Sequence, residues 1–202
     1  MPGTVFEQVR RVEGVTLPAE EYGAELHEHL SRLEGVVWKL ERAQHFHEPG
    51  VPSWVAMVDG DWDRAVALIG EMRFEDDLPP RAELRRLRVV ETPLTPYLRW
   101  EAALLTARTR AGERARALDA RAVRHLEDAA PLPELVVVGP DLMYEVLYDE
   151  IGAHTGARRI TDSRLIEPCA QAIAAQYEEA EEMTGFYDRE VAPLLPPTGT
   201  RT

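Results

Sequence analysis

The apolar positions of this chain repeat at two different intervals. Between Pro18 and Gly35 they fall three and four residues apart, at Leu26, Leu30 and Leu33, behind an acidic start, which predicts a first helix. "VVWKLER" then alternates as a strand does, and "HFHEPGVPS" breaks either regular form with two prolines and a glycine. Trp62, Val66 and Ile69 form the stripe of a short helix in "DWDRAVALIGEMR", and "DDLPPR" interrupts the chain before the strand "LRVVE". A helix from Pro96 to about Arg110 ends at Gly112. "ERARAL" follows as a strand, and Asp119 caps a short helix in "DARAVRHLED".

Later the interval becomes two. "PELVVVGPDLMYEVLYDE" predicts an antiparallel hairpin around Gly139-Pro140-Asp141, and "GARRITD" predicts another strand. Ser163 opens a long helix to about Met183, and "TGFYDREV" continues it after a break at Gly185. Helices separate the early strands, whereas the late strands adjoin. The expected fold is α/β: a single mixed sheet of about five or six strands, parallel early, with a late antiparallel hairpin near one edge. Helices pack on its faces and a long C-terminal helix closes it. Residues 1–17 read as a partly ordered N-terminal segment, 18–192 as a single domain and 193–202 as an extended tail.

The densest local instruction lies in "RRLRVVETPLTPYLRWEAALL", Arg85 to Leu105. On the strand, Leu87 and Val89 face one side, and Arg86, Arg88 and Val90 face the other. Thr95 is an N-cap and Pro96 takes the first helical position, where its fixed φ suits the helix. Leu98, Ala102 and Leu105 form the packing stripe, with Glu101 beside it and Tyr97 one turn earlier. One reading is a structural pair, Arg88–Glu101 or Arg99 with a carboxylate. The other is a ligand pocket at the carboxyl end of a central strand, lined by Arg88, Thr95, Tyr97, Arg99 and Glu101. Under both, Glu101 is buried and paired with an arginine or a tyrosine hydroxyl, because an unpaired buried carboxylate is costly. The glycines of a phosphate loop are missing.

Composition narrows the partners. The 202 residues carry a net charge of −13, which repels nucleic acid and anionic membranes, so neither is expected as a direct partner. Arg85, Arg86 and Arg88 still form a local patch able to hold an anion. Lys39 is the only lysine beside 22 arginines, which reads as coding bias rather than chemistry. Cys169 is the only cysteine; it permits no intrachain disulfide and no cysteine-based metal cluster, and it falls on the inner face of the last helix. With no run of 18 apolar residues and no signal-peptide region, the expected location is cytoplasmic.

His45, His47 and Glu48 resemble part of a zinc set, but a third ligand would have to come from His125 or His154. The segment reads as a polar loop, and neither metal nor cofactor is expected. His27 and His29 lie on opposite sides of their helix. Glu145 shares a strand face with Met143 and Leu147, as a general acid or base would if that face were buried, or as an edge strand would if it were open. Tyr144 and Tyr148 share the opposite face. Glu178, Glu179, Glu181 and Glu182 read as a solvated helix face.

"RVVETPLTPYLRWE", with "GDWDRAVALI" and "LPELVVVGPDLMYEVLYDE…TGARRITD", resembles the actinobacterial domain-of-unknown-function family 6879, from about Leu33 to Pro197. Its most specific element, Pro-Leu-Thr/Ser-x-Tyr-Leu-x-x-Glu, is here Pro93, Leu94, Thr95, Tyr97, Leu98 and Glu101. The resemblance carries over no catalytic residue. Such proteins are often encoded beside helix-turn-helix transcriptional regulators, so it implies a non-enzymatic regulatory or accessory role with such a DNA-binding partner. A small-molecule-binding sensor or an enzyme at the 88–101 junction is the alternative.

Overall fold

Leu87 and Val89 turn one way from their strand and Arg86, Arg88 and Val90 the other, and this alternation sets the layering of the molecule. The computed structural model describes residues 4–74, 79–127 and 129–194. Strands β1 (Val15–Pro18), β2 (Gly35–Glu41), β3 (Ala82–Val90), β4 (Arg114–Asp119), β5 (Leu135–Val138), β6 (Met143–Tyr148), β7 (His154–Ile160) and β8 (Glu181–Glu182) form one 8-stranded sheet. Their order is β1-β7-β6-β5-β2-β3-β4-β8. The pairs β2–β3 and β3–β4 are parallel, and every other pair is antiparallel.

Helices cover both faces. Leu40, Leu87, Val89, Leu135, Val137, Met143 and Ile160 form an apolar face under α1 (Val5–Arg11) and α7 (Ser163–Glu178), with Ala120 and Val123 of α6 (Ala120–Val123) at its margin. Cys169 is buried there. On the other face, α2 (Ala19–Arg32) covers Val37, Val136, Val138, Tyr144 and Ala157. The β3–β4 side of that face packs under α5 (Pro96–Arg110), which is backed by α3 (Pro52–Val58), α4 (Trp62–Glu71) and α8 (Met183–Glu190). Each fully buried Leu, Val or Ile contributes roughly 1.5–3 kcal/mol from apolar burial, so this two-sided core sets the stability of the fold.

The mixed α/β sheet agrees with the sequence, but four expectations need correction. The sheet has eight strands instead of five or six, because short β1 and β8 add themselves to its two edges. The hairpin β5–β6 lies inside the sheet, since β7 and β1 extend it beyond β6. The helix opened by Ser163 stops at Glu178, not near Met183, and the acidic run supplies β8. Arg116 pulls that run to the sheet by bonding the Tyr177 carbonyl and the Glu182 carboxylate, each at 3.0 Å. Phe6 and Val9 of the N-terminal residues enter the core, and β1 pairs with β7. On α4, Val66 is exposed, and Ala65 and Ile69 face inward against its neighbours. The expected tail beyond Leu194, and Asp76 to Leu78 of "DDLPPR", lie outside the described residues.

The start of α5 is as the sequence predicts. Thr95 Oγ1 accepts the Leu98 N–H at 3.1 Å and donates to the Gln44 carbonyl at 3.3 Å, with Pro96 opening the helix. Thr95→Ala removes both bonds and is expected to lower stability by about 1–2 kcal/mol in urea denaturation. An unchanged midpoint would mean that the cap contributes nothing.

Candidate functional site

The polar face of the two central parallel strands is not solvated. In register, Lys39 pairs with Arg86 and Glu41 with Arg88, so four charged side chains of β2 and β3 share one patch of sheet. Arg86, Arg88 and Glu41 are all buried, and charges taken out of water need partners. Arg86 donates Nη1–H to Glu41 Oε1 at 2.7 Å and also bonds Glu113, which in turn accepts from Arg108 at 2.6 Å. Lys39 Nζ lies 2.9 Å from the same Glu41 oxygen. Arg88 donates from Nε to Glu101 Oε2 at 2.6 Å.

Above this floor α2 and α5 stand apart, and the gap is a cavity of 390 Å³. Tyr22 comes from α2; Tyr97, Glu101, Leu105 and Arg108 come from one stripe of α5. The loop after β2 contributes Phe46, His47 and Glu48, and β6 and β7 contribute Val146, Tyr148 and His154. Gly152 closes the rim. With φ at 82° and the place of a Cβ only 3.2 Å from the His45 carbonyl oxygen, a side chain there would push the β6–β7 turn off this loop.

The hydrogen bonds inside the cavity are one proton short. The Tyr97 hydroxyl lies 3.0 Å from Glu48 Oε2 and 3.3 Å from Glu101 Oε1. It has a single hydrogen to donate, so one of the two carboxyls must carry a proton for both bonds to form. Burial, outweighing Arg88, pushes Glu101 up to about 7. Burial also raises Glu48, although the Tyr97 hydroxyl opposes it. Burial and the two flanking carboxylates hold the Tyr97 phenol protonated well above its ordinary range. Burial works against the Glu41 charge too, yet Arg86, Lys39 and Arg88 together keep that carboxyl well below the usual range. Glu41 Oε2 is nevertheless shut off from solvent, with no hydrogen-bond partner among the described residues.

Of the five residues marked by the sequence, only Tyr97 and Glu101 line the cavity. Arg88 lies behind Glu101, Thr95 caps α5 and Arg99 is half-buried away from the lining. Lys39, Glu41, Tyr22, Tyr148 and His154 complete the site and were not marked as a group. Lys39 had a usable signal, being the one lysine in an arginine-rich chain. Glu41, Tyr148 and His154 come together only through the pairing of β2 with β5, β5 with β6 and β6 with β7, and Tyr22 joins them from α2. His45 and His47 make T-shaped ring contacts with Tyr97 and Trp54 respectively. Among the described residues no three His, Cys, Asp or Glu side chains converge as a metal ion requires. Glu145 binds Arg158 at 2.6 Å on the opposite side of the sheet from Tyr144 and Tyr148.

The family described as "Domain of unknown function (DUF6879)" matches residues 24–188. The chain belongs to this family. The DUF6879 match takes in every residue of the cleft except Tyr22. No curated protein matches the chain. Among solved structures, it is similar to that of TrmBL2, an archaeal chromatin protein described as showing a novel mode of DNA binding. The identity is 13% and the TM-score 0.40, over 85% of this chain and 54% of that one, so the chain spans about half the length of that structure. No helix among the described residues is long and apolar enough to cross a membrane.

Proposed function

We propose that this DUF6879 protein binds a small polar molecule in the cleft between α2 and α5 and acts as a ligand-responsive regulatory or accessory protein. The observation that carries this reading is the 390 Å³ cavity floored by buried charges. It lies within the size range of small-molecule sites, and its polar groups converge from separate elements, as recognition requires. Tyr97 and Glu101 touch the ligand, Arg88 positions Glu101, and Thr95 fixes where α5 begins. Lys39 and Glu48 supply the remaining polar contacts. The net charge of −13 favours a basic protein surface, such as a helix-turn-helix regulator, as the recipient of the signal.

A metabolite screen by thermal unfolding tests the binding step. A bound ligand at about one hundred times its Kd stabilises by about 2.7 kcal/mol, a shift of several degrees. Tyr97→Phe is expected to weaken that shift, and Arg99→Ala, away from the lining, to preserve it. A library without effect on the wild-type protein would remove the ligand reading. Pull-down of the regulator with and without the ligand then tests the coupling.

A further inference from the structure

Resting on the ligand-binding reading, we propose that the cleft selects a small organic cation, a protonated amine or a methylated ammonium. The positive groups of the cleft already have anionic partners: Arg86 holds Glu41 and Glu113, Lys39 holds Glu41, and Arg108 holds Glu113. An anionic ligand would have to compete with those carboxylates. Glu48 is the exception among the acids. It lines the cavity, and among the described residues no cation lies within ion-pair distance of it. Its one hydrogen-bond partner there is the Tyr97 hydroxyl, which it shares with Glu101. A cationic N–H or ammonium beside Glu48 supplies at that end of the array the positive charge that Arg88 already supplies to Glu101.

The rings around the array point the same way. Tyr97, Phe46, Tyr148, His154 and Tyr22 follow one another around the cavity, with successive centroids 5.9, 4.5, 5.8 and 5.6 Å apart. Burial lowers the His154 pKa, which favours the neutral ring. Electron-rich ring faces attract cations, and the attraction grows where water is excluded. An unpaired carboxylate beside a belt of rings is therefore complementary to a nitrogen cation. Lys39, on the floor with Glu41 as its one ion-pair partner among the described residues, keeps N–H donors for an acceptor elsewhere on the same ligand.

Calorimetric titration of the full chain with choline, putrescine and agmatine, each against an uncharged isostere of the same shape, tests this inference. At least one cation is expected to bind about tenfold or more tightly than its isostere. Glu48→Gln should abolish that preference while leaving the circular dichroism spectrum unchanged, and Tyr148→Leu should reduce it. Cations that bind no better than their isosteres, or a preference that survives Glu48→Gln, would overturn the inference. If anionic or neutral metabolites bind instead, and Lys39→Met abolishes their binding, the cation inference fails and the ligand reading stands. If nothing in the screen or the cation series binds the wild-type protein, both fail.

Discussion

Replacing Arg86 by methionine is expected to lower stability by about 3–5 kcal/mol, the usual cost of removing one partner from a buried ion pair. Arg86 is buried between Glu41 and Glu113, and methionine keeps most of its volume while removing the positive charge. Both carboxylates then remain in the interior. Lys39 still serves Glu41 and Arg108 still serves Glu113, which places the expectation toward the lower end of that range. Arg85→Met is the matched control on the opposite side of the same strand. Arg85 is partly exposed and paired with Glu83, and such a pair contributes only about 0–1 kcal/mol. Urea denaturation of the two variants measures the difference. Equal losses would mean that the buried charges contribute no more than surface ones.

The second large effect is a fall in stability as the solution becomes neutral. Burial raises two glutamates, Glu101 and Glu134, to about 7 from 4.5. A carboxyl raised on folding keeps in the native state a proton that the unfolded chain has already lost. Between those two values the native state binds more protons, so stability decreases with rising pH by about 1.4 kcal/mol per pH unit for each group. Glu41, Glu113 and Glu127 are lowered and act in the opposite sense: their contribution is present above the usual glutamate value and is lost in acid. The melting temperature is therefore expected to peak near about pH 5 and to fall toward about pH 7.5. Glu134→Gln should flatten the falling limb, because the amide stays neutral while its oxygen can still accept the Arg42 and Ala43 N–H groups that now bond Glu134 Oε1. A melting temperature that climbs from pH 5 to pH 7.5 would refute this account.

Both effects come from a face that the sequence reads only in part. Alternation along β3 correctly separates Leu87 and Val89 from Arg86 and Arg88, and the nearness of Arg88 and Glu101 in the chain makes their pair legible. Period-two alternation of apolar and charged residues ordinarily marks a strand with one wet face. Here the charged face is covered, because α2 and α5 close over it and β2 brings Lys39 and Glu41 into register with the arginines. Nothing in β3 itself announces that cover. The edge strands escaped for a related reason: β1 and β8 are short, and Glu181 and Glu182 carry no apolar repeat.

The sequence by itself determined the local elements whose causes lie within a few residues: the Thr95 cap, the Pro96 start of α5, the β5–β6 hairpin and the two-sided character of β3. It also determined the family, through the blocks between residues 24 and 188. Only the tertiary structure decided the order of the strands, the interior place of the hairpin and the meeting of Tyr22, Lys39, Glu48, Tyr97 and His154 around one cavity. Backbone propensity and capping act over a turn or two of chain. The cleft depends on which distant strands pair and which helices then cover the charges, and that choice belongs to the folded whole.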